Sequence, residues 1–260
     1  LFGRLLRNVF RGDDPATALP ARAAEGVALY AIGDVHGEAT LLRRLEAEIA
    51  ADRVTHAAGL RCQVILLGDY VDRGPHSREV IEFLSGDAFA GCERICLRGN
   101  HDQLMVDFIE DPVAHGWWLE VGGALTLASY GIRASVGATD PRRLSALRDA
   151  LVAALPPHHL AFLRSLAMTA ASGDYAFVHA GIRPRRRMQD QVAEDLLGIR
   201  EPFLSHPGPH ERIIVHGHTV VGAPERHPWR IAVDTGAYMS GMLSAVFLRG
   251  EELRFLSVGA

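Results

Sequence analysis

Six side chains in this chain are of types that bind hard or borderline metal ions, and they arrive in five short segments. Asp34 and His36 lie in Gly33-Asp34-Val35-His36-Gly37, and Asp69 in Gly68-Asp69-Tyr70-Val71-Asp72-Arg73-Gly74. Asn100 follows in Gly99-Asn100-His101-Asp102, His179 in Val178-His179-Ala180-Gly181, and His218 in Val215-His216-Gly217-His218-Thr219. Each segment comes straight after an apolar run, and most carry a glycine where a chain leaving a strand must turn tightly. Asp34 and His36 are two residues apart, so on extended backbone both can face one ion. Asp69 can serve as a carboxylate shared by two ions, with Asn100, His179 and His218 completing the donor set of the second ion. Nitrogen and oxygen donors without thiolate suit Mn, Fe or Zn, or a mixed pair, better than Ca or an iron–sulfur cluster. Two such ions lower the pKa of a water between them and clamp the oxygens of an in-line displacement at phosphorus. Any one of these residues could instead cap a helix or fill a hydrogen-bonded core position; five coincidences at strand ends are a poor explanation.

The elements that must position these residues follow from the periodicity. The pattern predicts strands at 27–32, 62–67 and 94–97, and helices at about 38–51 and 77–85, with another opening after Gly99. Strands alternating with helices at this spacing form parallel βαβ units, and ligands bind at the carboxyl ends of such strands. The stretches 141–155 and 157–166 read as helices separated by Pro156-Pro157. From Tyr175 the pattern changes to strands at 175–178, 213–215, 231–233, 243–248 and 253–258, the last two a hairpin through Gly250-Glu251. These are expected to build a second, more antiparallel sheet facing the first.

The 260 residues carry a formal charge of -4 and are 48% hydrophobic. That is the composition of a globular protein and argues against general nucleic-acid binding. No run of apolar residues is long enough to span a membrane. Residues 1–26 read as a basic amphipathic segment (Leu1, Leu5, Leu6, Val9 and Phe10 opposite Arg4, Arg7 and Arg11) and a Pro/Ala linker, able to make at most weak contact with a membrane surface. Residues 27–260 are then a single catalytic domain. Cys62, Cys92 and Cys96 lack metal-motif spacing and are expected to be buried free thiols, consistent with a cytoplasmic, reducing location.

Taken together in order and spacing, the five motifs resemble the calcineurin-like metallophosphoesterase superfamily, and within it the bacterial branch of the phosphoprotein phosphatases. The resemblance runs from about Leu29 to Leu248. It implies a four-layer α/β/β/α sandwich of two mixed sheets with flanking helices. It also implies that Asp34, His36 and Asp69 hold one metal, most often Mn, and Asp69, Asn100, His179 and His218 the other. A hydroxide between them would attack phosphorus in line. His101 would donate a proton to the leaving oxygen, oriented by Asp72, while Arg73 and Arg200, together with Asn100 and His101, would bind phosphate. Val220 stands where many relatives have a further histidine, and Gly198 where bacterial relatives often carry tryptophan.

The resemblance implies a metal-dependent phosphomonoester hydrolase, foremost a serine/threonine protein phosphatase, because the second motif is complete through Asp72. The alternatives are a dinucleoside tetraphosphate hydrolase, whose second motif typically lacks that aspartate, and a broad-specificity phosphatase. A non-catalytic phosphate- or protein-binding scaffold would require a broken metal or acid position, and none is broken. The partner is therefore a phosphoprotein or a small phosphoester. The run Arg185-Arg186-Arg187 is a solvated loop or an attraction for acidic substrates.

Overall fold

The computed structural model describes residues 21–135, 137 and 139–259. The expected amphipathic segment at the start of the chain lies outside them. Among the described residues, ten strands form two five-stranded sheets. The first contains β1 (Val27–Ile32), β2 (Arg61–Leu66), β3 (Glu93–Cys96), β9 (Met242–Arg249) and β10 (Glu252–Gly259), in the order β10-β9-β1-β2-β3. The second contains β4 (Thr169–Ser172), β5 (Tyr175–Val178), β6 (Ile213–His216), β7 (Glu225–Arg226) and β8 (Arg230–Ala232), in the order β4-β5-β6-β8-β7. Both sheets are mixed: β1, β2 and β3 run parallel, as do β5, β6 and β8, while β9 pairs antiparallel with both β1 and β10, and the edge strands β4 and β7 pair antiparallel with their neighbours. The closing hairpin β9–β10 extends the first sheet rather than the second, correcting the expectation above. Its alternation suits either sheet, and only the pairing of Leu29–Ile32 with Ala245–Leu248 decides.

The side-chain period of two divides the interior into three apolar layers. On β1, Leu29 and Ala31 face the second sheet and meet Tyr175, Phe177, Val215 and Ile231. Ala28, Tyr30 and Ile32 face the opposite way, into a core closed by α1 (Ala39–His56), α2 (Ser77–Ser85), α3 (Asn100–Glu110), α4 (Gly123–Ser129), α5 (Pro141–Ala154) and α6 (Pro157–Ser165). On the far side of the second sheet, Ala176, Val178 and Ile214 pack against Leu196 and Ile199 of the segment around α7 (Ala193–Gly198), and against Phe203. Three cores between four layers give the α/β/β/α sandwich. The last short helix, α8 (Ala237–Ser240), precedes β9.

The linker reading ends earlier than residue 26. Ala23 is buried, and its N–H donates to the Gly250 carbonyl at 2.9 Å. The cysteine expectation is also corrected: Cys62 and Cys92 form a disulfide, and only Cys96 is a free thiol. The parallel register pairs Gln63 with Glu93, so one step back along both strands sets Cys62 beside Cys92, with Cα atoms 4.6 Å apart. This is the ordinary spacing of neighbouring strands. The thiol argument for a reducing compartment therefore falls. No helix among the described residues is long and apolar enough to cross a membrane.

Candidate metal centre

The five motifs converge where strands of both sheets end. Asp34 and His36 follow β1, Asp69 follows β2, Asn100 and His101 open α3 just beyond β3, His179 follows β5 and His218 follows β6. Two triads of donors result. His36, Asp69 and His101 form one, and Asp69, His179 and His218 the other, with the ligand atoms of each triad within 4.8 Å of one another. Asp69 belongs to both. Asn100 is placed beside the second triad, its Oδ1 3.0 Å from His179 Nε2.

The tautomers explain what the triads are suited to hold. His36 Nδ1 lies 2.9 Å from the Val71 carbonyl, and His179 Nδ1 lies 2.9 Å from the Leu67 carbonyl. A carbonyl only accepts, so both rings carry their proton on Nδ1 and, when neutral, present a bare lone pair at Nε2. Burial does keep His36 neutral, pushing its pKa down to about 3. Its Nε2 lone pair then faces Asp69 Oδ2 at 3.3 Å, while His179 Nε2 faces the same oxygen at 3.5 Å. Lone pair against lone pair in a buried site is unfavourable unless a cation lies between them. His218 adds a buried Nε2 without any hydrogen-bond partner, and burial pushes its pKa down to about 3 as well. For Asp69, burial opposes ionisation, but His179, His101 and His36 outweigh it and hold the carboxyl well below its ordinary range. Neutral His36 and His218 beside an ionised Asp69 are the protonation states in which such groups bind metals.

Asp34 sits beside the triads rather than in either. Its two oxygens accept from the His218 N–H at 3.1 and 3.3 Å, and its Oδ1 is 3.9 Å from His179 Nδ1. Burial raises its pKa, reinforced by Asp234 and Asp69. Asp234 was not singled out by the sequence reading, yet it is buried just after β8, next to Asp34. Its signal was available, since Val233-Asp234-Thr235-Gly236 is another aspartate between a strand end and a glycine. His216, the other histidine of that last motif, packs its ring edge-on to Phe203, in the outer core.

His101 differs from the other imidazoles of the centre because its Nε2 already faces a protein donor. Nδ1 lies 2.7 Å from Asp72 Oδ2, and Nε2 receives Arg73 Nη2 at 3.0 Å. Asp72 is itself enclosed: Trp118 Nε1 donates to Oδ2 at 2.8 Å, Thr126 Oγ1 to Oδ1 at 2.6 Å, and the Asp72 N–H reaches Thr126 and Ser77 hydroxyls. Burial raises the Asp72 pKa, with His101 and the other donors opposing it. Burial lowers that of His101, but Asp69 and Asp72 reverse the sign and leave it raised. Trp118 and Thr126 carry no motif that sequence could have flagged. Arg73 rests its guanidinium 4.9 Å from the Tyr238 ring. Arg200 is exposed and close enough to His218 to disfavour that ring's charged form. A Cβ at Gly198 would touch nothing within 4 Å, so the wall there is open. The 185–187 arginines border a separate depression of about 160 Å³ with His210 and Arg212.

The backbone is forced to produce this arrangement. Of the seven non-glycine residues with positive φ among those described, five belong here: His36 (43°), Asp69 (53°), Asp72 (73°), Arg73 (66°) and His218 (60°). Each costs roughly 1–3 kcal/mol and persists only where the surroundings over-determine it. Asp102 supplies part of that constraint for Asp69, accepting from the N–H groups of Gly99, Asp69 and Tyr70, each at 2.9 Å. Two of the glycines here press directly on carboxylate oxygens. A Cβ at Gly99 would lie 2.1 Å from Asp69 Oδ1, and one at Gly217 2.1 Å from Asp34 Oδ1.

Residues 28–238 match the family described as calcineurin-like phosphoesterase, which is most of the chain. The chain belongs to that family. A bis(5'-nucleosyl)-tetraphosphatase, symmetrical, from Aromatoleum aromaticum is 29% identical over 189 residues, covering 69% of this chain and 56% of its own length. The chain thus spans little more than half of that relative. The crystal structure of a proposed diadenosine tetraphosphatase superposes with a TM-score of 0.62 at 19% identity, covering 92% of this chain and 98% of that one. A protein serine/threonine phosphatase from Saccharomyces cerevisiae gives 0.52 at 15% identity, covering 90% and 80%. At these identities the two structures establish the fold alone.

Proposed function

We propose that this chain is a metal-dependent hydrolase of small phosphate compounds. Asp34, His36, Asp69, Asn100, His179 and His218 would hold two divalent ions, with Asp69 shared and Mn the preferred metal. The observation that carries this reading is the pair of donor triads meeting at Asp69, with imidazole lone pairs turned onto its oxygen. When bound, such ions supply an activated water and neutralise charge on the phosphoryl group. The chain's own residues do the rest. Arg73 and Arg200 hold phosphoryl oxygens, and a phosphate that draws Arg73 toward itself uncovers His101 Nε2. Once uncovered, Nε2 takes up a proton from water, which the Asp69 and Asp72 carboxylates favour, and His101, its Nδ1–H held by Asp72, delivers that proton to the departing oxygen.

Among small phosphates we favour a dinucleoside tetraphosphate, because the Aromatoleum relative carries that description over two thirds of this chain. A specific observation favours a second reading, phosphomonoester hydrolysis. A phosphoanhydride expels a weakly basic phosphate oxygen that needs little help from an acid, whereas an alkyl monoester expels an alkoxide that needs a proton. The enclosed Asp72–His101 pair is suited to the latter. The phosphoprotein expectation has no support beyond that pair. One Mn-loaded preparation assayed for kcat/KM on diadenosine tetraphosphate, an aryl phosphate, an alkyl phosphate and a phosphopeptide tests both readings. A dinucleotide preference above about 100-fold, or roughly 2.7 kcal/mol, supports the first; the reverse preference overturns it in favour of the second. No metal-dependent turnover on any of them would sink both.

A further inference from the structure

A second cluster of donor atoms lies away from the five motifs, where the C-terminal half of α2 meets the first turn of α6. Glu82 Oε2 is 2.9 Å from His159 Nε2 and 3.3 Å from His158 Nε2, and the three ligand atoms all lie within 4.8 Å of one another. The two imidazole rings stand at 86° with centroids 4.5 Å apart, which aims both Nε2 atoms at one carboxylate oxygen. Those separations are the edges of a coordination polyhedron about an ion with bonds of about 2.0–2.1 Å. His159 is fully buried and its remaining nitrogen, Nδ1, lies 2.8 Å from the buried Tyr130 hydroxyl. That is the outer-sphere contact that fixes ring orientation and tautomer in bound imidazoles. Glu82 and His158 are about half exposed, leaving a side open for water.

We propose that Glu82, His158 and His159 form a further divalent-cation site of the Zn²⁺ class, with two imidazoles, one carboxylate and water, that ties α2 to α6. Imidazole and carboxylate donors select a late transition ion over Ca²⁺ or Mg²⁺. The site also has a route to the rest of the molecule. The other end of α2 begins at Ser77, whose hydroxyl accepts from the Asp72 N–H at 3.1 Å. An ion clamped at Glu82 braces the helix that helps seat Asp72.

The test is metal stoichiometry on the full chain, stripped with chelator and given Zn²⁺ alone. Wild type is expected to hold one Zn²⁺ per chain more than either His158→Ala or Glu82→Gln, both exposed positions whose replacement leaves the core intact. In an Asp69→Asn background, which removes the carboxylate shared by the two main triads, the Zn²⁺ that disappears on adding His158→Ala should account for a set of two imidazole nitrogens and oxygen at about 2.0 Å in the X-ray absorption difference between the two variants. Should Asp69→Asn not fold, the one-ion difference between wild type and His158→Ala decides alone. Equal Zn²⁺ content with and without His158, or occupancy only at large excess of Zn²⁺, overturns the proposal. Neither outcome depends on the activity proposed for the main site.

Discussion

Replacing Asp72 by asparagine separates charge from orientation at His101. Asp72 Oδ2 accepts from both His101 Nδ1 and Trp118 Nε1, at 2.7 and 2.8 Å, while Oδ1 takes the Thr126 hydroxyl. An asparagine has one oxygen to offer. The indole N–H can only donate, so the amide oxygen must occupy the Oδ2 position, and the amide NH₂ then faces Thr126 Oγ1. That hydroxyl can accept, because its own proton can turn to Ser77 Oγ, 3.2 Å away. Every group stays paired and His101 keeps its tautomer, so only the charge-assisted part of one hydrogen bond is lost. The difference between a charged and a neutral bond is about 1–1.5 kcal/mol, which is roughly tenfold in rate. His101→Asn should cost far more, about 10²–10⁴. In the Asp72→Asn, Trp118→Phe double variant the pin on the amide is gone. The NH₂ can turn onto His101 Nδ1, and the loss should approach that of His101→Asn. The assay is kcat on an alkyl and an aryl phosphate at saturating Mn, with metal content and circular dichroism checked for each variant. Losses should shrink for the aryl substrate, whose leaving oxygen needs little protonation. If folded, metal-loaded Asp72→Asn is as slow as His101→Asn, or as fast as wild type on the alkyl phosphate, Asp72 does not act on His101 as a pinned, charge-assisting acceptor.

Asp69→Asn should remove the ligand shared by both triads and bring bound Mn below two per chain, read by elemental analysis of the reconstituted protein. Gly99→Ala drives a Cβ to within 2.1 Å of Asp69 Oδ1; it should weaken metal binding and lower stability by about 1–3 kcal/mol, measured by urea unfolding. Asp52, on α1, is held below the ordinary carboxyl range because hydrogen bonds from Arg254 and Tyr30 overcome its burial. Its stabilisation is therefore full above the unfolded pKa of about 3.9 and lost as pH falls through the lower folded value. Asp52→Asn should cost about 3 kcal/mol at pH 7, and the gap from wild type should close in urea melts below pH 4. Thiol titration of unreduced, unfolded protein should count one free cysteine, Cys96; three would show that Cys62 and Cys92 are not paired.

The legible parts of this molecule were those where local chemistry and the fold make the same demand. β1, α2 and β5 fall at the residues the pattern predicts, because each is bounded by a turn whose glycine or aspartate the site itself requires. β4 was not seen: Thr169–Ser172 is a short edge strand of small residues with no apolar alternation, defined by its pairing with β5. The disulfide was hidden for a related reason. Thirty residues separate Cys62 from Cys92, and only the β2–β3 register makes them neighbours.

The same distinction divides the candidate site. Donors placed by a motif could be named in advance, whereas the groups that hold them could not. Trp118, Thr126 and Ser77 reach Asp72 from three separate elements, and Asp234 reaches Asp34 from the opposite sheet. These contacts are set by how the layers pack, and a hydroxyl or an indole in the sequence gives no sign of which carboxylate it will meet. Yet they are what make the motifs usable. Five site residues sit at positive φ, a conformation that isolated segments of this sequence would not hold. The motif thus specifies what can bind, and the packed surroundings bear the conformational cost of presenting it. It follows that substitutions at Trp118 or Asp102 should disturb the centre although neither is a donor to it, Asp102 because it alone joins the N–H groups of Gly99, Asp69 and Tyr70 in one carboxylate.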